Sequence, residues 1–495
     1  MRLRCLIVFV FIALFIFSLQ FNTAVFAQDH DDMEVEGAEV DMEKVDKAVE
    51  KAVSWLKIQQ NANGSWVRAG SHEENFTGGV TAFTLLALLK GGVSPNDPAI
   101  RKGFDFCLNP TYSGQRRDGQ MAGWERMTYS AACLILAIEA KYNFKPSKKD
   151  KEDDKSKKIS TRTADEEARL NFNKKVTPQD RKILDELVAW LLGQQQANVW
   201  RYPGPAQDGN DEDASNTQYA SLALNTARRL GYPIRADVWS KTADYFVKYQ
   251  EEVGPEVEWF PVPGADFLIR DLKKMEKDIL KQIAKAQKKS KKSADPESED
   301  ISTTSEVELP NPYEKFGVEE KKMFARGWGY IPKGKAGEYK DFEVVSMSMT
   351  TSGVVSLMVS KVGLEDNNAY SAKIQKNVDK SIRDGCAWIA HNFSVKDNPP
   401  KQGFFHYYTL YGLERVGVLT LTSAFGKHNW YAEGANYLLS SQSSNGSWKD
   451  QTSTDLVSTC FAILFLKKAT TPIVEIPEQV YTGENLLPGK KDKDK

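Results

Sequence analysis

Cysteine and histidine are scarce in this chain, with five of each among 495 residues. Cys5 lies in an apolar N-terminal segment, and the other four cysteines are scattered without CxxC or zinc-finger spacing. This spacing gives no indication of a disulfide framework and excludes the usual structural zinc modules. HExxH, P-loop, GxGxxG and GxSxG patterns are also absent, so the common metalloprotease, nucleotide-binding and α/β-hydrolase motifs do not apply.

An excess of charge of either sign is missing as well. Lys and Arg number 66 against 67 Asp and Glu, which gives a net charge of −1. Such a balance offers no overall attraction to nucleic acid or to an anionic membrane, so we predict no nucleic-acid partner. Hydrophobic residues make up 41% of the chain, which is enough for a substantial core.

Long apolar runs are limited to the N-terminus, where one extends from Leu6 to about Leu19. Arg2 and Arg4 precede it, and small residues ending at Ala27 follow it. This layout is typical of a secretory signal peptide over residues 1–27, with an uncleaved N-terminal anchor as the alternative. We therefore expect an exported protein, secreted or held in the periplasm or cell envelope, without a stable transmembrane segment after signal removal.

Internal repetition is the main feature of the remaining sequence. Six apolar stretches each begin with threonine, with a mostly small residue three positions later and an aliphatic residue seven positions later. Positions 0, 3 and 7 share one face of a helix, which predicts six buried helices. The stretches begin at Thr81, Thr128, Thr217, Thr351, Thr409 and Thr459.

An amphipathic segment precedes each of these stretches, and a loop rich in glycine and aromatic residues joins the two. The repeated unit is therefore an outer helix, a loop and a buried helix. Because a single helical pair cannot bury its apolar face, the units must stack on one another. The first and last units are as regular as the others, so we predict an all-α fold, an α6/α6 toroid of six helical hairpins in a closed ring over residues 45–470.

Flanking and inserted segments complete the predicted organisation. An acidic linker covers residues 28–44, and a charged tail covers residues 471–495. Two charged low-complexity insertions interrupt the toroid at about 145–175 and 273–310. Their composition favours disorder or an exposed helix, with docking of a protein partner as the alternative.

The motif Q-x-x-x-G-x-W occurs near both ends of the predicted ring, after an outer helix in each case. A third unit keeps its Gln and Trp without the Gly. A Gln amide can satisfy the free groups of a helix end, Gly permits a tight turn, and Trp buries a large area and one N–H. We interpret the motif as structural. Its two full copies are Gln60, Gly64, Trp66 and Gln442, Gly446, Trp448.

This motif, together with six helical hairpins, resembles the terpenoid cyclase and protein prenyltransferase superfamily with its prenyltransferase/squalene oxidase repeat. The resemblance covers about Asp46 to Thr470. It implies the toroid, and it implies that the motif ties one outer helix to the next. The complement-like relatives of this toroid carry a GCGEQ thioester segment, which is absent here.

The catalytic residues of that superfamily are matched incompletely. Triterpene cyclases protonate an alkene with an Asp of a D-x-D-D-T sequence, and the matching tetrad here runs from Asp213 to Asn216 with Ser215 at the donor position. Prenyltransferases hold zinc with a D-x-C pair and a later His. Asp384 and Cys386 match the pair, but Ser458 stands where the His is expected. We therefore predict no cofactor, with Asp384 and Cys386 as weak metal candidates.

A ligand site is expected at the mouth where the buried helices converge by their N-termini, because free N–H groups and partial positive charge gather there. Aromatic residues interleaved with carboxylates suit a small molecule, lipid or glycan. The alternative is that the acidic residues only cap helices and the aromatic residues fill the ring. The ligand-binding candidates are Trp124, Asp211, Asn216, Trp328, Tyr407 and Tyr408, and the loop carrying Trp328 also provides Tyr330. The candidates for acid–base catalysis are Asp213, His406 and Asp455.

Three functions remain open from the sequence. The first is a squalene-cyclase-like repeat protein that binds a ligand or partner in its central cavity without the known cyclase or transferase chemistry. The second is a divergent isoprenoid-processing enzyme. The third is a carbohydrate-active lyase or hydrolase, which requires an acid–base pair such as Asp213 with His406 or Asp455. The sequence alone does not decide whether the protein is an enzyme.

Overall fold

The structure, a computed structural model, describes residues 39–67, 76–108, 128–144, 161–195, 198–202, 213–293, 312–317, 320–400 and 404–475. The predicted signal peptide therefore lies outside the described residues, as do most of the acidic linker and most of the C-terminal tail. No helix within the described ranges combines the length and apolar character needed to cross a bilayer.

Helices dominate the described residues, so the predicted all-α class is confirmed. A two-residue antiparallel pair, β1 (Glu256–Val257) with β2 (Met323–Phe324), and a 3₁₀ helix (Lys340–Glu343) accompany them. The helices are α1 (Met42–Ile58), α2 (Thr77–Lys90), α3 (Pro98–Leu108), α4 (Thr128–Tyr142), α5 (Ala164–Lys175), α6 (Pro178–Gly193), α7 (Ala214–Leu230), α8 (Ala236–Tyr249), α9 (Pro263–Asp266), α10 (Ile269–Ser293), α11 (Pro312–Phe316), α12 (Met347–Asp366), α13 (Ala372–His391), α14 (His406–Thr420), α15 (Trp430–Ser441) and α16 (Asp455–Leu466).

Each predicted threonine stretch lies in a helix that is buried around most of its circumference. We call α2, α4, α7, α12, α14 and α16 the inner helices. They contact one another in chain order, α2 with α4, α4 with α7, α7 with α12, α12 with α14, and α14 with α16, and α16 also contacts α2. Their apolar character on all sides is that of helices packed against neighbours in every direction.

The amphipathic segments form α1, α3, α6, α8, α13 and α15, which we call the outer helices. In α1, for example, Val45, Val49, Ala52 and Leu56 are buried while the intervening residues are largely exposed. The side chain of Asp41 caps this helix by accepting from the backbone N–H groups of its first turn, as capping residues do. α1 packs against α15, α16 and α2, so one apolar stripe is sufficient to hold it.

The Q-x-x-x-G-x-W motifs form a hydrogen-bonded unit that we call the Gln–Trp clasp. Gln442 donates through Nε2 to the carbonyl oxygens of Gly446 (3.0 Å) and Ala48 (2.9 Å), and Trp448 Nε1 donates to Leu438 O (2.9 Å). Gly446 has a φ of +93°, which favours glycine at this turn. The clasp therefore joins the end of α15 to α1, across almost the whole chain.

The motif near the start of the chain makes the corresponding contacts between the first and second outer helices. Gln60 Nε2 donates to Gly64 O (3.0 Å) and Ala99 O (2.9 Å), and Trp66 Nε1 donates to Leu56 O (2.7 Å). The end of α1 is thereby joined to α3. Gly64 also has a φ of +93°.

Two further clasps occur where the sequence motif is incomplete. In the third unit, Gln195 donates to Asn198 O (3.1 Å) and Val238 O (3.0 Å), and Trp200 Nε1 donates to Leu191 O (2.7 Å). The fourth clasp pairs Gln250 with Trp328. Gln250 donates to the carbonyl oxygens of Arg326 and Ser381 (both 2.9 Å), and Trp328 Nε1 donates to Phe246 O (2.8 Å).

The repeated threonine has a role in these clasps. The backbone N–H of Trp448 donates to Thr459 Oγ1, and that of Trp200 donates to Thr217 Oγ1, both over 3.1 Å. The threonine of the inner helix thus accepts from the tryptophan of its own loop. This contact gives the repeated threonine a structural role in these two units.

The two charged insertions contain helices that pack on the fold. α5 lies within the first and contacts α7, with Phe172 fully buried. α10 lies largely within the second, and its apolar residues Leu272, Met275 and Ile279 are buried. Lys277 Nζ of α10 lies 2.8 Å from Glu166 Oε1 of α5, so the two insertions are in contact. The parts of the insertions at 145–160 and 294–310 lie outside the described residues.

Candidate ligand cavity

A cavity of about 490 Å³ lies at the N-terminal part of the inner helices, and every inner helix contributes to its wall. Ten of its 21 lining residues are aromatic, and none carries a charged side chain. The wall consists of Phe76, Gly79, Val80, Phe83, Tyr129, Ser130, Cys133, Tyr202, Ser215, Tyr219, Tyr330, Phe342, Val344, Ser346, Ser348, Met349, Asn398, Phe405, Tyr408, Val457 and Phe461.

Asp213 lies directly behind this wall, at the N-cap of α7. Its carboxylate accepts from the backbone N–H of Asn216 (2.9 Å), the Asn216 amide (2.6 Å), the Ser215 hydroxyl (2.8 Å) and the Tyr330 hydroxyl (2.5 Å). Burial raises the pKa of Asp213, and these four hydrogen bonds oppose the rise because they stabilise the charged form. Because Ser215 and Tyr330 face the cavity, their hydroxyls connect the hidden carboxyl group with it.

Phenol groups around Asp213 stay protonated. Burial raises the pKa of Tyr129, Tyr202 and Tyr330, and the negative charge of Asp213 raises it further. A protonated phenol both donates and accepts a hydrogen bond. The mouth of the cavity therefore offers neutral hydroxyls to a ligand.

A second polar corner lies at the start of α12. The Asn398 side chain accepts from the backbone N–H of Ser348 (2.9 Å) and donates to Ser348 Oγ (3.0 Å), and the Ser346 and Ser348 hydroxyls are 3.2 Å apart. The amide of Asn398 thus satisfies one of the free N–H groups at this helix start, as a capping side chain would. The remaining capacity of the two hydroxyls faces the cavity.

Of the predicted ligand-binding residues, Tyr408 lines the cavity, and Asn216 contributes indirectly by holding Asp213. Tyr407 is 3% exposed and lies beside His406 instead, with ring centroids 4.9 Å apart. Trp328 belongs to the fourth clasp and packs on Phe246, so its contacts are those of a core residue. Trp124 and Asp211 lie outside the described residues.

His406 is held in the core. Its Nε2 lies 2.8 Å from the backbone oxygen of Val395, and its ring packs on Tyr437 with centroids 5.1 Å apart. Burial lowers its pKa, which favours a neutral imidazole. It is not among the cavity-lining residues, and among the described residues the hydrogen-bond partners of Asp213 do not include it.

Asp455 likewise is not among the cavity-lining residues. It is the first residue of α16, its side chain is 42% exposed, and its carboxylate lies 4.0 Å from Lys449 Nζ. The neighbouring Thr454, rather than Asp455, caps the helix by accepting from Val457 N–H. The predicted pairing of Asp455 with Asp213 is therefore not observed among the described residues.

The weak metal candidates have other contacts. Asp384 is fully buried and accepts from the backbone N–H of Phe324 (3.1 Å), from Arg326 Nε (2.8 Å) and from Lys380. Burial raises the pKa of the Cys386 thiol, which disfavours the thiolate that binds metal. Within the described ranges, no group of three or more His, Cys, Asp and Glu side chains is arranged to hold a metal ion.

Several cavity residues were not predicted, although the repeat contains a pattern that indicates them. Phe83, Tyr219 and Phe461 each follow the repeated threonine by two positions, and all three line the wall. Phe405 precedes α14 with a φ of +56°, is 54% exposed and reaches the mouth. A non-glycine residue with positive φ at a cavity is a strained feature that often accompanies a functional site.

Comparison of the sequence with models of known protein families finds no match. Comparison with curated proteins finds no match either.

Proposed function

We propose that this chain is an α6/α6 toroid of the terpenoid cyclase and prenyltransferase superfamily that binds an apolar ligand in its central cavity. The order of contacts among the inner helices supports a closed ring. The clasp from Gln442 to Ala48 supports it further, because it joins the last outer helix to the first. The proposal rests chiefly on the aromatic cavity to which all inner helices contribute.

The ligand we propose is a small molecule or lipid with a largely neutral, apolar body. The cavity volume of about 490 Å³ falls in the range of small-molecule sites, about 300–1,000 Å³. Aromatic walls favour flat or polycyclic apolar surfaces. A hydroxyl or carbonyl of the ligand would meet Ser215 and Tyr330 at one corner, or Ser348 and Asn398 at the other.

A second candidate is a divergent isoprenoid-processing enzyme. One observation favours it, namely the buried carboxyl group of Asp213 with its raised pKa, connected to the cavity through the hydroxyls of Ser215 and Tyr330. A buried carboxyl group that is connected by hydroxyls to an apolar cavity is a candidate for proton transfer with a ligand. The carbohydrate-active alternative receives no such support, because Asp213 has neither His406 nor Asp455 among its hydrogen-bond partners and the wall is largely apolar.

Export remains part of the proposal on the basis of residues 1–27. We propose no metal or organic cofactor. A protein partner that docks on the packed insertions is compatible with the ligand cavity, because α5 and α10 do not contribute to the cavity wall.

Native mass spectrometry of the full chain, purified from the envelope fraction of its own cells, tests the proposal. We expect a co-purifying molecule that is released on denaturation and extracts into organic solvent. A bound glycan, a bound metal, or protein that is free of ligand in repeated preparations would contradict it.

A matched pair of variants assigns the ligand to the cavity. Val457 lines the wall, so Val457→Trp should fill the space and reduce the bound fraction at least tenfold. Val253 is 83% exposed, so Val253→Trp adds the same side chain at the surface and should retain the ligand. Equal occupancy in the two variants would show that the molecule binds elsewhere.

A further inference from the structure

Arg415 is a buried cation without a carboxylate partner in the described part of the chain. It lies in α14, one layer beneath the cavity wall, and is 2% exposed. Its guanidinium carbon lies 4.4 Å from the ring centroid of Tyr219 and 3.9 Å from that of Tyr411. The π faces of these rings attract the cation, but they do not neutralise it.

The nearest described carboxylate along the chain is already in use. Glu414 accepts from the backbone N–H (3.0 Å) and the hydroxyl (2.6 Å) of Thr470. Its burial raises its pKa to about 7, so it carries a full negative charge only above neutral pH. A fully buried guanidinium without a counter-charge is costly, because removing an ion from water is unfavourable unless another charge compensates it.

Gln218 of α7 lies against Arg415 with a defined orientation. Its Oε1 accepts from Arg415 Nη1 (3.2 Å) and from the Tyr408 hydroxyl (3.1 Å). The opposite orientation of the amide would place its NH₂ group against a guanidinium that has only donors. With Oε1 in this position, the other end of the amide is Nε2, which is a hydrogen-bond donor. Gln218 is fully buried.

Two donors of this pair have no acceptor among the described residues, Arg415 Nη2 and Gln218 Nε2. A buried hydroxyl of the same helix as Gln218, that of Ser221 in α7, has no hydrogen-bond partner either. Ser221 follows Gln218 by three residues and shares its helix face. Buried polar groups in proteins are nearly always paired, so the unpaired donors of two residues that are hydrogen-bonded to each other, Arg415 and Gln218, indicate a missing acceptor.

We propose that Arg415 and Gln218 form a buried site for a monovalent halide ion, with chloride as the natural occupant. A halide supplies both the acceptor that Nη2 and Nε2 need and the negative charge that Arg415 needs. A water molecule would supply only the first. The site is distinct from the ligand cavity, since neither residue lines the cavity wall, and it does not depend on the proposed ligand.

Bromide is the probe, because its anomalous scattering identifies it in a crystal. Crystals of the full chain grown in sodium bromide should show an anomalous peak in contact with Arg415 Nη2 and Gln218 Nε2. The thermal midpoint should also rise with the logarithm of bromide concentration when sodium gluconate keeps the ionic strength constant, because a ligand that binds only the folded state stabilises it by mass action.

Gln218→Glu is a variant for which we expect a higher thermal midpoint, whereas a merely disruptive substitution would lower it. The new carboxylate would lie about one hydrogen-bond length from the Arg415 guanidinium and replace the halide as counter-charge. We expect a midpoint above that of the parent protein in gluconate and no dependence on bromide. Gln282→Glu, on an exposed position of α10, makes the same chemical change at the surface and should keep the bromide dependence.

Three results would overturn the proposal. One is an ordered water, without anomalous signal, in contact with Arg415 Nη2 in the bromide crystals. Another is a thermal midpoint of the parent protein that responds equally to bromide and gluconate. The third is a bromide response that persists in Gln218→Glu. If that variant does not fold, the crystals of the parent protein decide alone.

Discussion

Replacing Gln442 by glutamate tests whether the first and last outer helices depend on one clasp. The side chain keeps its size, but the Nε2 donor becomes a carboxylate oxygen. That oxygen would face the carbonyl oxygens of Gly446 and Ala48, which now lie 3.0 and 2.9 Å from Nε2. Two attractive contacts are thereby converted into two repulsive ones.

The expected loss of stability follows from these contacts. Each hydrogen bond contributes about 1 kcal/mol net, so losing two costs about 2 kcal/mol. Bringing a partly buried carboxylate against two carbonyl groups adds desolvation and repulsion, and we expect about 2–4 kcal/mol in all. The loss should be concentrated in α1, because Ala48 belongs to that helix while Gly446 remains in its own turn.

Amide hydrogen exchange read by mass spectrometry is the suitable assay, together with the thermal midpoint. In Gln442→Glu, peptides that cover residues 42–58 should lose protection far more than peptides from α12 or α13. Gln282→Glu serves as the control for added charge and should change neither quantity appreciably. The reasoning is refuted if the two variants melt alike, or if protection falls evenly over all helices.

Two further predictions concern backbone strain and pH. Gly446→Ala should cost about 2–4 kcal/mol of unfolding free energy, because its φ of +93° is unfavourable for alanine and the new Cβ would lie 2.7 Å from Lys51 O. The control Gly92→Ala has a similar φ of +96° but open space around the new Cβ, so it should cost only about 1 kcal/mol. Equal losses for the two variants in urea unfolding would contradict the role of Lys51. Burial raises the pKa of Glu414 from 4.5 to about 7. Its contribution to stability is therefore full below pH 4.5, and about 3 kcal/mol is lost as the pH rises through 7. Glu414→Gln should make the unfolding midpoint less dependent on pH between 5 and 8, and an unchanged dependence would contradict this assignment.

The inner and outer helices could be predicted from the sequence because their signals are local. The threonine at position 0, the small residue at position 3 and the aliphatic residue at position 7 reflect contacts within one turn or two of the same helix. The clasps at Trp66 and Trp448 were predictable for the same reason, since Gln, Gly and Trp lie within seven residues of one another. Tyr330 was named from the sequence because of its place in the loop before α12, and Tyr408 because of its place near the start of α14.

Contacts between distant segments could not be predicted in this way. The fourth clasp joins Gln250 to Trp328, but α9 and α10 separate them in the chain, so no short motif reveals the pair. Trp328 was consequently expected at a ligand. The burial of Arg415 was equally hidden, because an arginine on a helix is usually exposed and the residues that contact this one from another helix, Gln218 and Tyr219 of α7, are far from it in the chain.

The positions of the charges behind the cavity wall have a consequence for the ligand. Asp213 and Gln218 lie five residues apart on α7, about 7.5 Å along the helix axis, so the carboxylate is near the mouth and the Arg415 guanidinium is deeper. Unit charges in a site of low dielectric act strongly on a ligand. A halide at Arg415 would cancel the deeper charge and leave only the mouth polar, which is the distribution that suits an apolar molecule with one hydrogen-bonding end.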